Sequence, residues 1–195
     1  MPSFCVAAAA VAGLIVLGGC AGHRPDLSVA GSDVRYQPKV ESAGQDANAS
    51  FRLTVRAPRA EYLTSVVVFT GASAQVITAN PDTATTAMAV GEGTHQFLLA
   101  YPRHQAAPVS FTRRTFPGRD GSLSDETGRP VESYAVVVAT ASPIALARVQ
   151  ATLDTVDLRG PAPEVLGSVS QAVASLGVGP WGAAVHRLDY QHNGI

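Results

Sequence analysis

Apolar and polar residues alternate from Phe51 onward, and this period of two predicts a β-strand with one buried face. Phe51, Leu53 and Val55 occupy one side, and polar residues stand between them. Longer β-branched runs at 63–70 and 132–140 predict two strands that are buried on both faces. The folded part is therefore expected to be built around extended chain.

Turn residues separate further strand-like segments. Asn80-Pro81-Asp82 and Gly91-Glu92-Gly93 combine residues that tolerate tight bends or fix the backbone φ angle. The strands predicted between such turns are 75–79, 95–101, 109–116 and 181–190, with a short edge strand at 34–36.

The C-terminal third changes to a helical period. Ser142 followed by Pro143 predicts an N-cap and the first turn of a helix that runs to Leu153. A second helix is predicted from Pro163 to Leu176, with Gly177 ending it. Because strands dominate and the helices are segregated, the expected class is α+β, mostly β: an antiparallel sandwich-like domain with two helices near the C-terminus.

The N-terminal segment predicts export. Residues 4–17 carry no charge but are too few to cross a bilayer, which takes about 20 residues. The run closes with Leu17-Gly18-Gly19-Cys20, which resembles the lipobox of bacterial lipoproteins. That resemblance implies cleavage between Gly19 and Cys20 and a lipid on Cys20, which would bind the protein to a bilayer through acyl chains. The alternative is a plain signal peptide or an uncleaved anchor, with Cys20 incidental.

The remaining chain divides into a tether and one domain. Residues 22–50 are polar and rich in Gly, Ser, Ala and Asp, which is typical of a flexible linker. The expected division is a signal peptide at 1–19, a lipidated cysteine and linker at 20–49, and a β-rich domain at 50–195. Ala21 follows the cysteine in place of an aspartate, which favours the outer membrane of the cell envelope.

Composition excludes several classes of function. Apolar residues make up 46% of the 195 residues, enough for a core, and the net charge of −1 with dispersed charges does not favour nucleic acid as a partner. The two cysteines are Cys5, in the predicted leader, and Cys20. A lipidated mature chain would have no disulfide, no cysteine nucleophile and no cysteine-bound metal.

No catalytic motif is found in the sequence. The five histidines form no His-x-x-x-His pair, and no Gly-x-Ser-x-Gly nucleophile elbow is present. His95 and His186 fall in predicted strands, where surface or half-buried sheet positions explain them. We therefore predict no catalytic residue, no metal ligand and no cofactor.

The polar loop at 117–130 contains the densest group of charges. Arg119 lies beside Asp120, and Asp125 beside Glu126. One interpretation is a calcium site, since this ion prefers oxygen ligands on a loop that contains glycine, although acids at alternate positions are absent. The others are a solvated loop with loose ion pairs, or a partner-binding loop carried by a rigid sheet.

Three segments resemble the bacterial domain of unknown function 4384. They are the strand–turn–strand series at 60–81 that ends in Asn80-Pro81, the glycine turn at 91–93, and the hydrophobic strand at 133–146 that runs into Ala141-Ser142-Pro143. The chain departs from that family where Ala79 precedes Asn80 in place of phenylalanine. The resemblance covers roughly residues 50–190 and implies an exported, β-rich accessory domain without known catalysis.

The expected function is that of a membrane-anchored envelope lipoprotein. Its β-rich domain would be a non-catalytic binding or accessory module for a protein or glycan partner in the envelope. Two alternatives stay open: an envelope hydrolase with a dispersed active site, and a purely structural surface lipoprotein. A cleft that joins His95, His186 and an acid would favour the hydrolase.

Overall fold

Two valine-rich strands lie at the centre of the molecule in the computed structural model, which describes residues 31–45, 50–102, 116–117, 123–124 and 130–188. Strand β3 (Glu61–Phe69) pairs antiparallel, from Tyr62 to Phe69, with β9 (Ser133–Thr140). The central sheet has the order β10-β9-β3-β4, and β5 pairs with the first residues of β3. The flanking strands are β4 (Ser73–Ile77), β5 (Met88–Val90) and β10 (Trp181–Leu188).

A second antiparallel sheet covers one face of the first. Its order is β1-β2-β6, formed by β1 (Lys39–Gln45), β2 (Phe51–Ala57) and β6 (Gly93–Leu99). The two sheets approach each other at both edges. Thr78 and Ala100 exchange two backbone hydrogen bonds of 2.9 Å, and β1 lies beside β10. The mostly β, sandwich-like class that the sequence predicts is confirmed.

Two helices cover the opposite face of the central sheet. They are α1 (Leu146–Leu153) and α2 (Ala162–Ala174), and both lie between β9 and β10 in the chain. Alternate residues of β3 therefore meet different layers, because successive side chains of a strand point to opposite faces. Val66 and Val68 pack with the helices, whereas Leu63, Val67 and Phe69 pack with the second sheet. A strand buried on both faces explains the unbroken apolar run.

The prediction of a flexible linker at 20–49 is wrong for part of that range. Residues 39–45 form β1, which pairs with β2, and residues 34–36 form a 3₁₀ turn where the sequence predicts an edge strand. The sequence of β1 does not alternate regularly, and its register shifts between Val40 and Ser42. A bulge of this kind breaks the period of two on which the sequence prediction depends.

Two further expectations need correction. Ser142 does not cap α1, because its hydroxyl accepts a hydrogen bond of 2.9 Å from the backbone of Val178. The chain before the helix instead bonds the segment at 85–87: the Ile144 carbonyl accepts from the Ala87 N–H, and the Leu146 N–H donates to the Thr85 carbonyl. The loop predicted at 117–130 includes part of a small hairpin, formed by β7 (Phe116–Pro117) and β8 (Leu123–Ser124). The strand predicted at 109–116 lies outside the described residues except for Phe116.

Glutamine side chains cap both edges of the central sheet. On β4, the amide of Gln150 from α1 accepts a bond from the Val76 N–H at 3.1 Å and donates one to the Ala74 carbonyl at 3.2 Å. On β10, the amide nitrogen of Gln37 donates to the Ala183 carbonyl. An open sheet edge invites pairing with other chains, so these side chains close it with the same groups that a further strand would use.

Candidate functional site

The strands give the molecule two distinct ends. At the loop end lie Gln45, Phe51, Leu99, Ser133 and Leu188, which are joined by register pairs and by a common core. Gln45 and Leu188, which border 46–49 and 189–195, lie at this end, and Tyr101 near the border of 103–115 packs there on Phe51. Strands of this length separate the two ends by about 25 Å, at about 3.3 Å per residue.

Side-chain contacts join the residues at the border of the loop end. The Phe51 and Tyr101 rings meet edge to face, with their centroids 5.7 Å apart. Glu132 bonds the Tyr134 hydroxyl at 2.8 Å and pairs with Arg187 at 3.0 Å. These contacts hold the positions from which the chain leaves toward the loop at 117–130. The charged residues predicted for partner binding are outside the described residues: Arg119, Asp120, Asp125 and Glu126.

The opposite end is the strap end, formed by Lys39, Ala57, Glu61, Thr140 and Trp181. It is crossed by residues 31–37, which we call the strap. The Ser32 hydroxyl accepts a bond of 3.0 Å from the Trp181 N–H, and the Asp33 N–H donates to the Trp181 carbonyl at 3.1 Å. The chain that begins with the predicted lipidation site therefore joins the domain at the strap end. Gly19 and Cys20 themselves are outside the described residues.

The strap folds locally through Asp33. Its carboxylate accepts bonds from the Arg35 backbone N–H at 2.9 Å and from the Arg35 guanidinium at 2.8 Å. These bonds cap the 3₁₀ turn at Val34–Tyr36, as a short polar side chain does at the start of a helix. The hydrogen bond from the Arg35 side chain, followed by the bond from its backbone N–H, lowers the pKa of Asp33.

Glu61 is buried at the strap end with its carboxyl group unpaired. The residue is 4% exposed, and neither carboxylate oxygen has a hydrogen-bond partner among the described residues. As the first residue of β3, it shares its side with Leu63, Val67 and Phe69, which face the second sheet. Burial raises the pKa of Glu61 to about 7, although the positive charge of Arg59 opposes that rise. Desolvation disfavours the charged form of a carboxyl group, which explains the direction.

Arg59 connects Glu61 with the strap. Its guanidinium carbon lies 4.6 Å from the centre of the Tyr36 ring, which is the geometry of a cation–π contact. The charge of Arg59 also acts on the carboxyl groups of Asp33 and Glu61. Tyr36 is buried, whereas Arg59 is exposed. The Arg59 guanidinium thus interacts with two carboxyl groups and an aromatic ring at the strap end.

His95 and His186 lie on different sheets of the described structure. His95 lies on β6 and bonds the Gly91 carbonyl through Nε2 at 2.8 Å, whereas His186 lies on β10 in the other sheet. The described residues show no hydrogen bond between either histidine and a carboxylate, and no group of three His, Cys, Asp or Glu side chains suited to a metal ion. Glu61 is able to take up and release a proton near neutral pH, which is the chemistry that this site offers.

Sequence reasoning missed Glu61, Arg59 and Tyr36 as a group. The sequence does indicate its burial, because Glu61 is an even number of residues from Leu63, Val67 and Phe69 and so falls on the same buried face of β3. An acid in a buried series is unusual unless it is paired. Its neighbours Arg59 and Tyr36 come together only through the turn at 58–60 and the strap, which no local period predicts.

No helix among the described residues is long and apolar enough to cross a membrane. No family model, no curated protein and no solved structure matches the chain. The resemblances to the lipobox and to the domain of unknown function 4384 therefore stay predictions, as does the function that they imply.

Proposed function

We propose that this protein is a lipid-anchored lipoprotein of the bacterial envelope whose β-rich domain is a non-catalytic binding or accessory module. Cys20 would carry the acyl chains, and the domain would engage an envelope protein or glycan. The observation that supports this proposal is the separation of the two ends. The chain enters at the strap end, and the segments that border the loop at 117–130 leave from the loop end.

This arrangement suits a tethered binding module. An anchor at Cys20 would hold the strap end toward the bilayer, since only residues 21–30 lie between the anchor and the strap. The loop end would then face away from the membrane. Loops that a rigid sheet carries are the usual place for recognition, because they vary in sequence without disturbing the core.

Mass spectrometry of the mature N-terminus tests the anchor. Protein extracted with detergent from envelopes should begin at Cys20 and carry the added mass of a diacylglyceryl group, usually with a third acyl chain. The Cys20→Ser variant is the matched control and should lack this mass. Recovery of an unmodified, full-length chain from the cytosolic fraction of its host would contradict the proposal.

Site-specific photo-crosslinking in whole envelopes tests the binding role. A crosslinking side chain at Pro130, which is exposed near the loop end, should give reproducible adducts. The same side chain at Gln171, exposed on α2, is the control and should give none. Equal or absent adducts at both positions would favour a purely structural protein.

A further inference from the structure

The carboxyl group of Glu61 is a buried acid without a partner. Both oxygens lack a hydrogen bond among the described residues, and 4% of the residue is exposed. A neutral carboxyl group tolerates this environment much better than a charged one, because a buried carboxylate without a hydrogen bond or counter-charge loses its hydration without compensation. Any state in which Glu61 is ionised must therefore bring it a counter-charge or water.

Arg59 is the nearest source of that counter-charge. It is exposed, so its guanidinium can move, and it lies two residues before Glu61 in the turn between β2 and β3. Its charge already acts on Glu61. In the present arrangement, however, the guanidinium lies on the Tyr36 ring of the strap. An ion pair with Glu61 would compete with that contact, since one guanidinium cannot hold both positions fully.

We propose that protonation of Glu61 controls how tightly the strap is held. With the proton bound, Glu61 stays buried and Arg59 holds the Tyr36 ring. When Glu61 releases its proton to solvent, Arg59 moves to the carboxylate, Tyr36 loses its cation, and the strap loosens from β10. The junction between tether and domain is then firm below neutral pH and looser above it. This inference does not depend on lipidation of Cys20.

The other charged groups at this end are exposed or paired. Lys39 of β1 and Arg56 of β2 stand opposite each other and are both exposed. The strap contributes Asp33 and Arg35, which pair with each other at 2.8 Å. The residues of β5 that pair with β3, and those where β9 ends and β10 begins, carry no titratable side chain: Met88, Ala89, Val90, Thr140, Trp181 and Gly182. At the start of β6, His95 bonds the Gly91 carbonyl, and Glu92 beside it is exposed. Glu61 is the buried carboxyl group among them.

The fluorescence of Trp181 can report whether the strap is bound to β10. Trp181 is the single tryptophan of the chain, and its backbone bonds both Ser32 and Asp33 of the strap. We expect the emission of Trp181 to shift to longer wavelength as the pH rises from 5 to 9, with a midpoint near 7 that corresponds to one proton. The purified protein is used whole, and carbon NMR of its labelled glutamate carboxyl groups should show one group with the same midpoint.

Three variants test whether Glu61 and Arg59 cause the change in Trp181 emission. Glu61→Gln should abolish the emission change, whereas Glu92→Gln, which alters an exposed acid nearby, should keep it. Arg59→Gln should abolish the emission change while one carboxyl group still titrates near or above neutral pH. An emission change that persists in Glu61→Gln would assign it to another group and would overturn the proposal. So would a wild-type protein whose carboxyl groups all titrate near 4.5, and this NMR result does not depend on any variant folding.

Discussion

Gly182 has no side chain at the point where the strap crosses β10. A Cβ atom at this position would lie within 2.7 Å of the Gln37 nitrogen and closer still to the Tyr36 carbonyl. Both neighbours are backbone atoms, so they cannot rotate out of the way. The close approach of the strap to β10 therefore depends on glycine at this position.

We expect Gly182→Ala to displace the strap. The free energy of unfolding should fall by about 2–3 kcal/mol, as overpacking against backbone typically costs, and the emission of Trp181 should shift to longer wavelength. Urea denaturation and fluorescence measure the two effects. Gly167→Ala in α2 is the control, because no atom lies within 4 Å of its added Cβ. That variant should gain up to about 1 kcal/mol, since alanine favours a helix. Equal losses in both variants would contradict the assignment.

Glu61 also determines how stability depends on pH. Burial raises its pKa to about 7 in the folded protein, from an ordinary value of 4.5. The unfolded chain therefore releases this proton more readily, and the free energy of unfolding falls as the pH rises from about 4.5 through 7. The full effect is about 3 kcal/mol, at 1.4 kcal/mol for each unit of pKa.

The Glu61→Gln variant should lose this part of the pH dependence. Denaturation at pH 5 and at pH 8 should show a larger drop in stability for the wild type than for the variant. The quantity to compare is the change in the free energy of unfolding between pH 5 and pH 8, because the buried amide of the variant destabilises it at both pH values. Identical drops in the two proteins would show that Glu61 is not the group responsible.

At the scale of elements, the edges of the central sheet are protected by side chains. Gln150 of α1 satisfies one donor and one acceptor of β4, and it also donates to Asp154 at 2.9 Å. Gln37 satisfies one acceptor of β10, the Ala183 carbonyl. The helix and the strap thus take the place of edge strands, which limits pairing between molecules.

Removal of the Gln150 amide should expose the edge of β4. We expect Gln150→Ala to reduce the free energy of unfolding by about 1–3 kcal/mol, because the Val76 N–H and the Ala74 carbonyl lose their partners. Aggregation on heating, followed by light scattering, should also increase. Gln171→Ala is the matched control on an exposed face of α2 and should change stability by less than about 0.5 kcal/mol. Equal free energies of unfolding for Gln150→Ala and Gln171→Ala would mean that the hydrogen bonds of Gln150 do not contribute to stability.

The pattern of residues predicted the long elements well. β3 and β9 were recognisable from their valine runs, and α2 from its apolar stripe and the proline in its first turn. β5 was missed because three residues are too few to show a period. The start of α1 was misplaced because Ser142 has the composition of an N-cap, whereas Ser142 bonds Val178 and Leu146 bonds Thr85 in the tertiary structure.

At the scale of the whole molecule, the strap end and the loop end imply an orientation on a bilayer. If the lipid is on Cys20, the turn at 58–60 should lie nearer to the membrane than Pro130. A strand length of about 25 Å separates the two positions. The mature, lipidated chain would have no free thiol, so a single introduced cysteine can be labelled selectively.

Energy transfer measures this orientation. Pro58→Cys and Pro130→Cys, both at exposed positions, are labelled with a donor dye, and the lipidated protein is bound to vesicles that contain acceptor lipids. Transfer should be greater from position 58 than from position 130. The same two labels on Cys5→Ser/Cys20→Ser protein, which carries no lipid and no other thiol, are the control and should show little transfer. Greater transfer from position 130 would reverse the proposed orientation.

The sequence by itself determined the mostly β class, the buried central strands and the helical segment, because each depends on a short-range period of apolar residues. It also carries the complete lipobox-like motif, which needs no folded context. Tertiary structure alone decided that residues 31–45 belong to the domain, that the strap passes closely over Gly182, and that Arg59 packs on the Tyr36 ring. These contacts join residues far apart in the chain, and such pairings leave no periodic trace in a single sequence.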